Sequence, residues 1–90
     1  MNNIDWSQLR KAEDIKAEAE EARLAPLIAA EIQWAEQERK FAAEQLEAIE
    51  DGESVVGTER QWREYRTQVR AWKDGAAGYP DSSQRPMRPN

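Results

Sequence analysis

The chain contains no histidine and no cysteine. The first absence removes the imidazole base, the Ser-His-Asp triad and the His-Glu-x-x-His metal helix. The second removes a thiolate nucleophile, a disulfide framework and Cys-ligated zinc, and leaves the redox compartment unreadable. No apolar run approaches the roughly 18 residues of a membrane span. Residues Met1–Asp5 lack the basic and apolar regions of a signal peptide, so a soluble cytoplasmic protein is expected. The four glycines, at 52, 57, 75 and 78, are isolated and form no phosphate-cradling loop. Bulky apolar residues are scarce as well. Hydrophobic residues make up 39% of the 90, and 14 of them are alanine. So short a chain builds only a thin core. One helical domain, completed by a partner or a second copy, follows from that scarcity.

What is plentiful is charge, at 34% of residues against roughly 25% in an average domain. The net charge of −5 is unevenly placed. Residues 1–56 carry a net −8 and residues 57–90 a net +3. An acidic front and a basic back attract each other, within one chain or between two, unless each is simply a solvated face.

Helical signals dominate the first 50 residues. Asp5 and Gln8 have the spacing of a capping box, with Ile4 and Leu9 placed as a hydrophobic staple. Leu9, Ala12, Ile15, Ala19 and Ala22 then recur at helical intervals, a stripe too small to bury much area. Pro26 interrupts it. Either a helix ends near Leu24 and another starts at Pro26, or one long helix kinks there; no reversing residues flank the site, which favours a kink or very short break. Beyond it, Ile28, Ile32, Ala35, Ala42, Leu46 and Ile49 share an arc of about 100°, extended on one side by Leu27, Trp34 and Phe41. That width exceeds what one thin core needs. It predicts a homodimer through Ile28, Ile32, Leu46 and Ile49, in which truncating Ile32 or Leu46 costs roughly 2–5 kcal/mol each if both are buried.

Asp51-Gly52-Glu53 stops this helix, and Thr58 with Gln61 forms a capping box for another. Trp62, Tyr65, Val69 and Trp72 line one face of it, while Arg60, Arg63, Arg66, Arg70 and Lys73 take the rest. The expected fold is all-α. A long, kinked or broken N-terminal helix (about 6–24 and 27–50) packs antiparallel on a shorter third one (about 59–73). Together these make a helical domain over 1–75. The remaining segment, 76–90, holds three of the four prolines and reads as an irregular, extended tail.

Little here suggests chemistry. Glu44, Glu47 and Asp51 share a helix face but lie opposite the apolar arc, which reads as a solvated charge run rather than a di-metal site. Arg60, Arg63, Arg66 and Arg70 beside aromatics would suit nucleic acid, yet those aromatics share a face with Val69 and the chain is acidic overall. The acidic first half would equally suit mimicry of a nucleic acid. No catalytic, cofactor-binding or metal-binding residue is assigned, and no enzyme is expected.

From Leu46 onward the order of residues is recognisable. Leu46, Ile49 and Asp51, then Trp62, Tyr65, Arg66 and Val69, then Tyr79-Pro80 and Arg85-Pro86, form an ordered series. It resembles the C-terminal part of tailed-phage tail fibre assembly and tail assembly chaperone proteins. That resemblance covers about half the chain. It implies a non-enzymatic accessory protein that helps a phage tail or tail fibre component fold or assemble. It also implies the host bacterial cytoplasm as the place of action, with retention in the virion left open. The contact with such a client is expected at Trp34, Phe41, Trp62, Tyr65 and Trp72, with Arg66 and Arg70 at the rim, unless those aromatics form the intramolecular core. Two other classes fit the same size and acidity: a small phage inhibitor of a host protein, and a structural coiled-coil subunit of the virion.

Overall fold

A computed structural model describes residues 6–90, with side chains described from residue 14 onward. The Asp5–Gln8 cap, the Ile4–Leu9 staple and the side chain of Ala12 lie outside the described residues. Among the described residues the fold is all-helical. A 45-residue helix, α1 (Trp6–Glu50), is followed by a 13-residue helix, α2 (Glu59–Ala71). The tail adds a short 3-10 turn, Ser82–Gln84. No described helix is long and apolar enough to cross a membrane.

Of the two outcomes expected at Pro26, a break or a kink in one long helix, the break is absent: α1 is continuous through it. Alanine, leucine and glutamate on both sides favour helix strongly. Both Ala22 and Pro26 are exposed, so the carbonyl that loses its partner faces a side where water can satisfy it. Three expected helices are therefore two.

The end of α1 follows its sequence. The Gly52 amide donates to the Ile49 carbonyl at 3.0 Å and the Glu53 amide to that of Ala48 at 2.8 Å, the paired bonds of a Schellman cap. Gly52 takes the left-handed conformation this cap needs, at φ +79°. At the start of α2 the Thr58 hydroxyl accepts from the Gln61 amide at 3.1 Å, and the Thr58 amide donates back to the Gln61 side chain at 2.9 Å. Thr58→Ala is expected to cost about 1 kcal/mol, read as a shift in the urea midpoint at unchanged slope.

The turn between the caps reverses the chain, and α2 lies antiparallel on α1. Trp72, past the end of α2, reaches Glu31, while Tyr65 reaches Glu38. The core consists of Ala35 and Ala42 of α1 against Trp62, Tyr65 and Val69 of α2, flanked by Trp34, Phe41, Leu46, Ile49 and Val55. Phe41, Trp62 and Tyr65 form an edge-to-face chain, with centroids 5.7 and 5.8 Å apart. The alanines matter here because they let the large α2 aromatics approach the α1 backbone. Trp62 also donates its indole N–H to the Val56 carbonyl at 2.6 Å, which ties the loop to α2.

The buried stripe of α1 differs from the expected one. It runs Glu31, Ala35, Glu38, Ala42, with two glutamates in phase with the alanines. Ile32, expected at a dimer interface, is 53% exposed in the single chain, and Leu27 is exposed as well. Covering α1 from α2 on one side and from the tail on the other turns residues 31 and 38 inward and leaves residue 32 outward.

Candidate functional site

Glu31 and Glu38 lie one heptad apart on α1, hence on one face and about 10.5 Å apart along the axis. They are 2% and 6% exposed. Carboxylates so buried require partners. Both sets come from the far end of the chain. Arg85 donates through Nε and Nη2 to the two oxygens of Glu31, each at 2.6 Å. Arg88 does the same to Glu38, each at 2.7 Å. From the α2 side, the Trp72 indole N–H donates to Glu31 at 3.0 Å and the Tyr65 hydroxyl to Glu38 at 2.6 Å.

An aromatic ring on α1 completes each arrangement. The Arg85 guanidinium carbon lies 4.9 Å from the centre of Trp34, and that of Arg88 lies 4.0 Å from the centre of Phe41. Two matching sockets result, each with a carboxylate, a ring three residues further along α1 and a second donor from the Trp62–Trp72 stretch. Among the described residues no buried side-chain polar atom lacks a hydrogen bond. Tyr79, edge-on to Trp72 at 5.3 Å, and Asp81, accepting from the Ser83 amide at 2.9 Å, shape the turn that delivers the tail.

The sockets set the protonation states. The Arg85 hydrogen bonds hold the Glu31 carboxyl below its usual range; burial opposes them, and Trp72 assists. Arg88 does the same for Glu38, against burial and with Tyr65 assisting. Burial pushes the Tyr65 hydroxyl up, reinforced by Glu38. Both guanidinium groups are held more firmly protonated by their carboxylates. At neutral pH each socket therefore holds an ionised carboxylate against a charged guanidinium group.

A pH dependence follows. Both carboxylates bind protons less readily folded than unfolded, where they titrate near about 4.3. The stability they contribute is complete above about pH 5 and is lost as pH falls through the depressed folded values. The thermal midpoint is expected to stay level from neutral pH down to about 5 and to drop below about 4.3. A scan monitored by near-ultraviolet circular dichroism checks this.

The structure divides the expected contact residues. Trp62, Tyr65 and Trp72 are buried in the monomer, so a client reaches them only by opening the fold. Trp34 and Phe41 are half-buried beneath Arg85 and Arg88. Arg66 is half-buried and Arg70 exposed. Of the four expected dimer residues, Leu46 and Ile49 pack on the core and Ile28 is half-buried, leaving Ile32 open. Ile32→Ala is accordingly expected to change stability by less than about 0.5 kcal/mol. Leu46→Ala should cost about 2 kcal/mol, the low end for a leucine truncation, since it is only half-buried. Paired urea titrations distinguish them.

Sequence reasoning passed over Glu31, Glu38, Arg85 and Arg88 as a set. The available signal was two glutamates seven apart in the apolar phase of a helix, matched by two arginines three apart in a proline-rich tail. No protein-family model, curated protein or solved structure matches this chain.

Proposed function

We propose that this protein is a non-enzymatic assembly chaperone for a phage tail or tail fibre component, and that the client binds the unpartnered length of α1. The observation that carries this reading is the asymmetry of packing along α1. From Glu31 onward one face of the helix is covered by α2 and the tail, whereas every described side chain from 14 to 23 is exposed. An isolated helix end of this length has marginal stability in water and gains from a partner. The residues behind the family resemblance, Trp62, Tyr65, Val69 and Arg85, lie in the packed half. That half acts as a scaffold, and the protruding half, with Ile15 exposed beside Glu18, Glu20 and Glu21, presents apolar and charged groups together. A holding surface of this kind binds and releases without chemistry.

Co-expression with a candidate tail fibre protein tests the reading. The fibre is expected to become soluble and trimeric with this protein and to co-purify with it. Ile15→Asp with Ile32→Asp should abolish co-purification while leaving the helical spectrum unchanged, because both side chains are exposed. A fibre equally soluble and trimeric alone, with no complex formed, overturns the proposal. Self-association would use the same length of α1 and would appear in sedimentation as a dimer lost in the same variant.

A further inference from the structure

We propose that the two sockets on α1 form a peptide-binding site for an extended segment carrying two arginines three positions apart, filled in the resting chain by its own tail and open to the same segment of a second copy. The inference is independent of the chaperone reading and rests on four observations.

The first is register. Seven residues of α-helix separate the sockets by about 10.5 Å. Three residues of polyproline backbone separate Arg85 from Arg88 by about 9.3 Å. Arg85 has φ −58° and ψ 146°, in that conformation. A helical heptad and a polyproline triplet therefore nearly match, and the two arginines of an Arg-x-x-Arg segment reach the two sockets together.

The second is that the arginines supply the polar attachment. The last backbone hydrogen bond of the tail outside the regular helices runs from the Gln84 amide to the Asp81 carbonyl. Beyond it, the side-chain bonds are those of the two guanidinium groups. The third is tolerance at the intervening positions, where Met87 is 82% exposed. The prolines hold the extended shape, and Pro89 seats against the loop at Gly57, where a Cβ would lie 2.9 Å from the proline ring. The fourth is chemical selectivity. Each socket offers a planar carboxylate and a ring face, which fit a guanidinium fork and match an ammonium poorly.

The ligand is thus defined by chemistry as an extended Arg-x-x-Arg segment. Its covalent tether keeps the tail at high effective concentration, so exchange requires an undocked tail or an abundant second copy. The side chain of Arg88 is 51% exposed and that of Arg85 30%, so both guanidinium pairs can be reached from solvent.

The test uses the full chain carrying Arg85→Ala and Arg88→Ala, titrated with a labelled synthetic peptide of residues 79–90. Saturable binding is expected, at least about tenfold tighter than that of a peptide with both arginines replaced by lysine. A peptide with one extra residue between the arginines should bind similarly weakly, because the second socket is missed. The unmodified chain should bind the peptide more weakly than the variant does, since its own tail competes. No binding to the variant, or equal binding of the lysine peptide, overturns the proposal. If the variant is unfolded alone, recovery of its near-ultraviolet signal on adding the peptide supports the site, and absence of recovery refutes it.

Discussion

Trp62→Ala is expected to cost about 3–5 kcal/mol, a large share of the roughly 5–15 kcal/mol that holds a typical domain together. Three contacts end at once. Trp62 is buried against Ala35 and Ala42, stacks edge-on with both Phe41 and Tyr65, and holds the Val56 carbonyl through its indole N–H. The loss should be selective in its signature. Near-ultraviolet circular dichroism, which reports α2 on α1, should collapse at a much lower urea concentration. Far-ultraviolet helicity should fall less, because α1 is long and rich in strong helix formers. A Trp62 variant with an unchanged urea midpoint would show that the hairpin does not depend on this contact.

The double variant Arg85→Ala/Arg88→Ala carries the second large effect. It leaves two buried carboxylates held only by Trp72 and Tyr65. Removing one partner of a buried pair costs about 3–5 kcal/mol. The pair together should fall near about 3 kcal/mol, because undocking the tail lets water reach the glutamates and the lost guanidinium groups were partly solvated. The pH dependence separates charge from packing. In the unmodified chain the carboxyl pKa values are depressed, so stability is lost as pH falls through them. In the variant the arginines, the largest cause of the depression, are gone and only the Trp72 and Tyr65 hydrogen bonds still oppose burial, so less stability is lost as pH falls. The difference between the two proteins should therefore shrink as pH falls from about 6 to 4. A difference independent of pH would assign the tail's contribution to proline and aromatic packing instead.

Both predictions concern features of different legibility. Trp62, Tyr65, Val69 and Trp72 were readable as one face because 3.6-residue periodicity is local, and so were the Thr58–Gln61 box and the Gly52 cap. Pro26 left two outcomes open, a break or a kinked continuous helix, for the opposite reason. The rule that proline ends helices describes one residue, whereas the outcome depended on about twenty favourable residues on either side and on an exposed position. Glu31 and Glu38 were hidden because a glutamate in an apolar arc is ordinarily solvated. Only a partner more than 40 positions away makes its burial affordable. Part of the wide arc on α1 is taken up by two covers from the same chain, α2 over Ala35 and Ala42 and the tail over Trp34 and Phe41, while Leu27 and Ile32 stay exposed.

The absence of histidine and cysteine still excludes the chemistry that needs an imidazole or a thiolate, and no folding could restore it. Helical class, the reversing turn and the aromatic face of α2 were equally determined by sequence, since capping, left-handed glycine and helical period act within a few residues. The tertiary structure alone decided which charges are buried. The acidic front and basic back meet through two bidentate pairs, while other ion pairs, such as Arg63 with Glu59, remain on the surface of α2. The reason is physical. A charge is buried only where geometry brings it a matched partner and excludes water, and both conditions depend on contacts between segments far apart in the chain.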